Sequence, residues 1–167
     1  FPNTFHTVFC SLFPSVEWGN KVFHILYIIL LHGSVFLVIR QLGGNAWYGL
    51  LAVLFTYNSN LSFGFVGFAI SMPVLILLFY FILLYIDQER MYLNLVIGLL
   101  LILLFLMHAQ NALLGLMIYA AMIGYHYRKS FERLVAHGLL VPLPVVIMIV
   151  AWWLTRTDQP EGSTIEY

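Results

Sequence analysis

The chain has 167 residues, of which 62% are hydrophobic and 8% charged, and its seven basic and seven acidic side chains cancel. A soluble domain carries about 25% charged residues, so this composition excludes an ordinary water-soluble domain and points to an integral membrane protein. Zero net charge supplies no basic surface for nucleic acid, and the single Cys10 leaves neither an internal disulfide nor a thiolate metal site.

The opening FPNTFHTVFCSLFPSVEWGN is polar and aromatic, with no initiating Met and no signal-peptide pattern. Together with the unfinished ending STIEY, it suggests an internal piece of a longer protein, residues 1–167 forming a single transmembrane helical domain. Six apolar segments follow the opening, at roughly 21–39, 46–57, 66–86, 92–107, 110–127 and 135–154. The expected fold class is therefore all-α, a polytopic transmembrane helix bundle. A full span needs about 20 residues, or as few as ~17. The second segment offers only a dozen before the polar stretch TYNSNLSFGF, so it predicts a short or broken helix. Gly43-Gly44 breaks the chain after the first segment, and almost nothing separates the fourth from the fifth, which predicts an antiparallel hairpin. Pro73, Pro142 and Pro144 lie inside apolar runs; membrane helices tolerate Pro where the freed carbonyls find other partners. Trp47, Trp152 and Trp153 fall near segment ends, where an interfacial aromatic belt would sit.

Alternation of the segments sorts the charges. Arg40 follows the first segment, Asp87-Gln88-Glu89-Arg90 the third, and Arg128-Lys129 with Arg133 the fifth. The alternate connections, the polar stretch at 57–65 and Met107-His108-Ala109-Gln110-Asn111, carry no Lys or Arg. The positive-inside rule makes the basic connections at 40, 87–90 and 128–133 cytoplasmic, with the bacterial inner membrane as the expected setting. His6, the polar stretch and His108 would then share the outer face, while the basic face would only set topology and meet anionic lipid heads.

Candidate chemistry concentrates on that outer face. His108, Gln110 and Asn111 sit where two apolar helices meet. Imidazole and amide groups hydrogen-bond hydroxyl-rich or phosphate-bearing substrates, and they also serve simply as helix caps. Asn58, Ser59 and Asn60 divide in the same way, between the wall of a cavity and a capped loop; Asn60-Leu61-Ser62 also matches a glycosylation sequon. Arg156 is an isolated charge that a substrate phosphate would suit. His24 and His32 lie eight residues apart, roughly 80° around a helix. On a shared broad face they are candidate axial ligands for haem or a chlorophyll-type pigment, or partners in inter-helix hydrogen bonds. His126 and His137, near the basic connection, read as interfacial. No HExxH, GxGxxG or P-loop occurs, and the spans lack the buried carboxylates of an ion-coupled transporter.

The order of motifs resembles a known superfamily. Phe1-Pro2-Asn3-Thr4-Phe5-His6 precedes a helix that ends in Arg40-Gln41-Leu42-Gly43. Then come a short helix, a Y-N-x-x-L-x-x-G-F-x-x-F run from Tyr57 to Phe68, and a long helix. A further helix ends in His108 before a partner rich in small residues. This pattern, covering most of the chain in loose motifs, resembles the middle of bacterial GT-C superfamily polytopic glycosyltransferases. The resemblance implies transfer of a sugar from a polyprenyl-phosphate donor at the extracytoplasmic face. By position it gives His108, Asn58 and Arg156 donor-phosphate or sugar contacts; Gln110, Asn111, Asn60 and His6 join them as candidate substrate-binding residues because they share the polar outer face. It also implies an acidic general base in an outer loop that would lie before Phe1, so no residue here inherits that role. The competing expectation is a non-catalytic transmembrane subunit of a photosynthetic or respiratory assembly, whose partners would be lipids and other membrane subunits.

Overall fold

A computed structural model describes residues 4–57 and 66–157, with the backbone alone at Ala46, Val66, Arg156 and Thr157. Every regular element among the described residues is helical. Helix α1 (Thr4–Ser11) leads into α2 (Val16–Gln41), then a 3-10 run (Ala46–Phe55), α3 (Val66–Gln88), α4 (Met91–Met107) and α5 (Ala109–His126). A helical turn, Phe131–Arg133, passes into a π-wound stretch, Leu134–Leu139, before α6 (Leu143–Thr157). Local signals set several boundaries. The Ser15 hydroxyl accepts the Trp18 N–H and opens α2, satisfying one of the orphan donors of a first turn. Gly43, at φ 75°, takes the left-handed turn that closes it.

Among the described residues, two helices are long and apolar enough to cross a membrane, α2 over Val16–Gln41 and α3 over Gly67–Gln88. A third span exists if Phe131–Leu139 and Leu143–Thr155, bent by 54° at their break, act as one. Helix α4 has 17 residues, about 26 Å at 1.5 Å per residue, against a hydrocarbon core of about 30 Å. Helix α5 has 18, with Gln110, Asn111 and His126 at its ends. The six apolar segments are thus unequal in what they can span.

Two segments depart from simple helices. The segment from Ala46 winds as a ten-residue 3-10 run, about 20 Å long at 2.0 Å per residue. It is pinned along α2, with Gly49 packed on Phe36 and the Tyr27 hydroxyl donating to the carbonyls of Phe55 and Thr56. The segment expected at 135–154 is broken at 140–142. Pro142 lacks an N–H and cannot extend the preceding coil, while its carbonyl accepts the Val146 N–H that begins α6.

Contacts at both ends of α3 give the directions of the core helices. Phe68 meets His108, and Tyr85 meets Tyr127. Helices α3 and α5 therefore run parallel, and α4 returns between them. The expected hairpin of α4 and α5 is present, with His108 alone as the connection. Helix α2 runs parallel to α3: Tyr27 and Phe68 line one cavity, and the Gln41 amide donates to Asp87. All of these helices are apolar around most of their circumference, yet burial selects one stripe on each. On α4 it is Leu93, Ile97, Leu101, Leu104 and Met107, and on α5 it is Ala112, Gly115, Tyr119 and Ile123. These three- and four-residue steps form the helix face that meets its neighbours. Gly115 marks a close approach of α5 to α3 and α4. A Cβ there would lie 3.0 Å from Leu78, 3.1 Å from Leu104 and 3.4 Å from Leu75. Outward apolar residues such as Ile25, Ile29, Leu95 and Leu99 are exposed, a surface suited to lipid rather than water.

The same directions give the bundle two unlike ends. The Gln41–Asp87 and Glu89–Arg133 contacts draw the connections after α2, α3 and α5 together at one end. Helix α1, the starts of α2, α3 and α5, and the end of α4 lie at the other.

Candidate functional site

At the end that carries α1, two polar groups form. In the first, α1 docks on the start of α2 because Gly19 lets the helices touch; a Cβ there would lie 2.9 Å from the Cα of Cys10. The His6 ring packs on Phe23, with 4.9 Å between centroids, and its Nε2–H donates to Asn20 Oδ1 at 2.7 Å. The buried thiol of Cys10 lies 3.5 Å from the same nitrogen. His6 is thus engaged within the α1–α2 contact. Among the described residues, no hydrogen bond or ring contact joins it to His108.

The second group joins the start of α3 to the α4–α5 connection. Asn111 is 1% exposed. Its Nδ2 donates to Ser71 Oγ at 2.6 Å and to the Phe68 carbonyl at 3.3 Å, and Ser71 itself donates to Phe68 O at 2.8 Å. This triad fastens α5 to α3. Asn111 was a candidate for substrate contact, and its geometry here is that of an inter-helix tie.

His108 differs. Its half-buried ring stands edge-on to Phe68 at 5.2 Å. Its Nδ1 is buried and finds no hydrogen-bond partner among the described residues. A buried polar atom left unpaired costs about 1–3 kcal/mol, so in a native fold such an atom calls for an explanation. Burial holds the imidazole below its usual titration range, so it is neutral at physiological pH. It then offers one donor and one acceptor rather than a charge. Gln110 is exposed in the first turn of α5. Asn58 and Asn60 lie outside the described residues, as does the side chain of Arg156.

His24 and His32 do not make inter-helix hydrogen bonds through Nδ1. Each donates Nδ1–H to the carbonyl four residues earlier, His24 to Asn20 at 2.8 Å and His32 to Ile28 at 2.7 Å. That arrangement leaves the lone pair on Nε2, as a ligating imidazole requires. His32 also lines an apolar cavity of about 530 Å³ with Gly33, Phe36, Trp47, Gly49 and Leu50. A planar metal-centred cofactor could be held there. Among the described residues, no three His, Cys, Asp or Glu side chains converge as a metal cluster.

The densest polar cluster occupies the opposite, basic end, and sequence reading passes over it. Glu89 is at its centre. One carboxylate oxygen accepts from His126 Nε2 at 3.1 Å and from the Tyr127 hydroxyl at 3.2 Å, and the other faces Arg133 at 3.4 Å. The hydrogen bond from His126 is the main influence holding the Glu89 carboxyl below its ordinary range. Behind it, the Tyr85 and Tyr127 hydroxyls are 3.0 Å apart. The His137 ring stacks on Tyr127 with centroids 5.5 Å apart. Asn94 Nδ2 donates to His137 Nδ1 at 3.0 Å, and the Tyr119 hydroxyl donates to the His137 carbonyl. His126 and His137 are therefore parts of a network that ties α3, α4 and α5 to the π-wound stretch. The sequence signal was there in outline: four aromatic or imidazole side chains at 85, 126, 127 and 137 around a lone acidic connection. Only the parallel course of α3 and α5 unites them.

Comparison with known proteins adds no further assignment, since no family model, curated protein or solved structure matches the chain.

Proposed function

We propose that this chain is the membrane-embedded core of a GT-C-like glycosyltransferase that takes its sugar from a polyprenyl-phosphate donor at the extracytoplasmic face. The observation that carries this reading is the meeting of two polar motifs some 40 residues apart. His108 packs on Phe68, and Asn111 bonds to Phe68 and Ser71. One corner of the bundle thereby gathers the start of α3, the α4–α5 connection and, through the cavity shared by Phe55 and Phe68, the end of the 3-10 run. In this reading all six apolar segments lie in the bacterial inner membrane, α4 and α5 accommodating a small length mismatch. The basic connections at 40, 87–90 and 128–133 are then cytoplasmic, and the His108 corner faces out.

The neutral His108 would hold a donor-phosphate oxygen or a sugar hydroxyl through its imidazole, with Gln110 beside it at the surface. Asn111 contributes by fixing the corner rather than by touching substrate. Catalysis would need an acidic base from outside these residues. Replacing His108 with Ala in the full-length protein and measuring turnover of a lipid-linked sugar tests the assignment. A loss of at least ten-fold with the fold intact is expected, and unchanged turnover removes His108 from the site.

One observation favours a second reading, a transmembrane subunit of a larger complex that carries a pigment or haem. It is the His32 cavity with its available Nε2. Purification of the full-length protein with a Soret-absorbing chromophore that the His32→Leu variant lacks would decide for it.

A further inference from the structure

Beyond the sugar-transfer reading, which concerns the opposite end, we propose that the basic end holds a built site for the phosphate headgroup of an anionic membrane lipid. A cavity of about 590 Å³ opens there, lined by Ile86 of α3, Ala121, Met122, Tyr125 and His126 of α5, and by Arg128 and Lys129 just beyond. Its chemistry is graded along its length. Ile86, Ala121 and Met122 make an apolar wall at the depth of the helices. Arg128 and Lys129 stand at the mouth, where the helices end.

The two cations are free for a ligand. The Arg128 guanidinium lies over the Tyr125 ring at 4.4 Å, which orients it without neutralising it. Among the described residues, neither Arg128 nor Lys129 forms an ion pair. The nearby carboxylates are occupied: Glu89 by His126, Tyr127 and Arg133, and Asp87 by the Gln41 amide. Glu132 is exposed and pairs with neither cation. A phosphate would therefore meet two unpaired cations. A free phosphate would use only the mouth of the cavity. The apolar wall argues for a ligand that also has a hydrocarbon part, and surface cations next to a membrane attract anionic headgroups in this way.

The test uses the purified full-length protein in nanodiscs of equal phosphatidylglycerol and phosphatidylcholine, reading the retained lipid by native mass spectrometry. Phosphatidylglycerol should be retained preferentially. The R128Q/K129Q variant should lose that preference by roughly five-fold per cation, about 30-fold for the pair, whereas R40Q should not. M122W, which fills the apolar wall and keeps both cations, should weaken lipid retention as well. Equal retention of both lipids by the native protein, or a preference untouched by R128Q/K129Q, overturns the proposal. So does saturation of the site by inorganic phosphate alone with affinity equal to that for the lipid, which would make it a free-anion site. Activity plays no part in these readouts, so failure here is distinguishable from failure of the His108 assignment.

Discussion

Replacing Asn111 separates a structural tie from a substrate contact. The side chain makes one short bond, 2.6 Å to Ser71 Oγ, and one at the long end of the range, 3.3 Å to Phe68 O. Inter-helix bonds of this kind within membrane bundles average ~0.6 kcal/mol and reach ~1.7 kcal/mol. Asn111→Leu, of the same branched shape, orphans neither partner, because Ser71 still donates to Phe68 O at 2.8 Å. Its cost should stay within that ~0.6–1.7 kcal/mol range. Asn111→Ala leaves a cavity as well, at a further cost of about 1 kcal/mol, for a total of about 2 kcal/mol. In a double-mutant cycle, Asn111→Ala and Ser71→Ala should couple by ~0.6–1.7 kcal/mol. The measurement is reversible unfolding of the full-length protein in mixed micelles, paired with turnover per folded molecule. Unchanged stability and zero coupling, alongside a large loss of turnover, would refute the reasoning and make Asn111 a substrate ligand.

Two further outcomes follow from the same geometry. Gly19→Ala puts a methyl 2.9 Å from the Cα of Cys10, and because that atom is backbone, α1 must move as a body. Thiol labelling of Cys10, only 4% exposed in the native fold, should accelerate at least ten-fold in this variant; an unchanged rate would show that the helices do not touch there. Acid should destabilise the protein in two stages. Burial lowers the His108 imidazole, so the unfolded chain binds more protons and stability falls as pH drops through the ordinary imidazole range. Glu89 is lowered chiefly by its bond from His126, so its contribution is complete above the ordinary carboxylate range and is lost as pH falls through its lower folded value. Unfolding titrations from pH 7.5 down to about 2 check both stages, and the first should vanish in His108→Ala.

Much of the architecture is legible in residue order, because length and apolarity are local properties. The segments near 21–39 and 66–86 become α2 and α3, and the near-absence of a linker at His108 correctly announces the α4–α5 hairpin. What escapes is any property set by a second segment. Asn111 looks the same in sequence whether it faces a substrate or Ser71, and only the crossing of α5 on α3 decides. Ala46–Phe55 is apolar enough for an α-helix, and its tighter winding comes with Tyr27 and Phe36 holding it along α2. The run at 135–154 reads as continuous because periodicity is blind to where Pro142 will turn the chain. The basic end is the largest omission. Its members span residues 85 to 137 and share no motif, so nothing short of the fold assembles them.

That end also explains an unusual backbone. Glu89 sits just past α3 at φ 47°, its N–H bonded to the Tyr85 carbonyl at 2.8 Å. A helix terminus in this conformation is normally given to Gly, which takes left-handed dihedrals without a Cβ penalty. The chain places a glutamate there instead, and the left-handed turn aims its carboxylate at His126, Tyr127 and Arg133. Local propensity alone would choose Gly, so the side chain's interactions must offset the strain. With Glu89 occupied in this way, the cations further out, Arg128 and Lys129, remain uncompensated beside an apolar wall. The acidic connection after α3 is thus spent on holding the ends of α3 and α5 together, and the surplus of positive charge left at that rim is a consequence of how the bundle is closed.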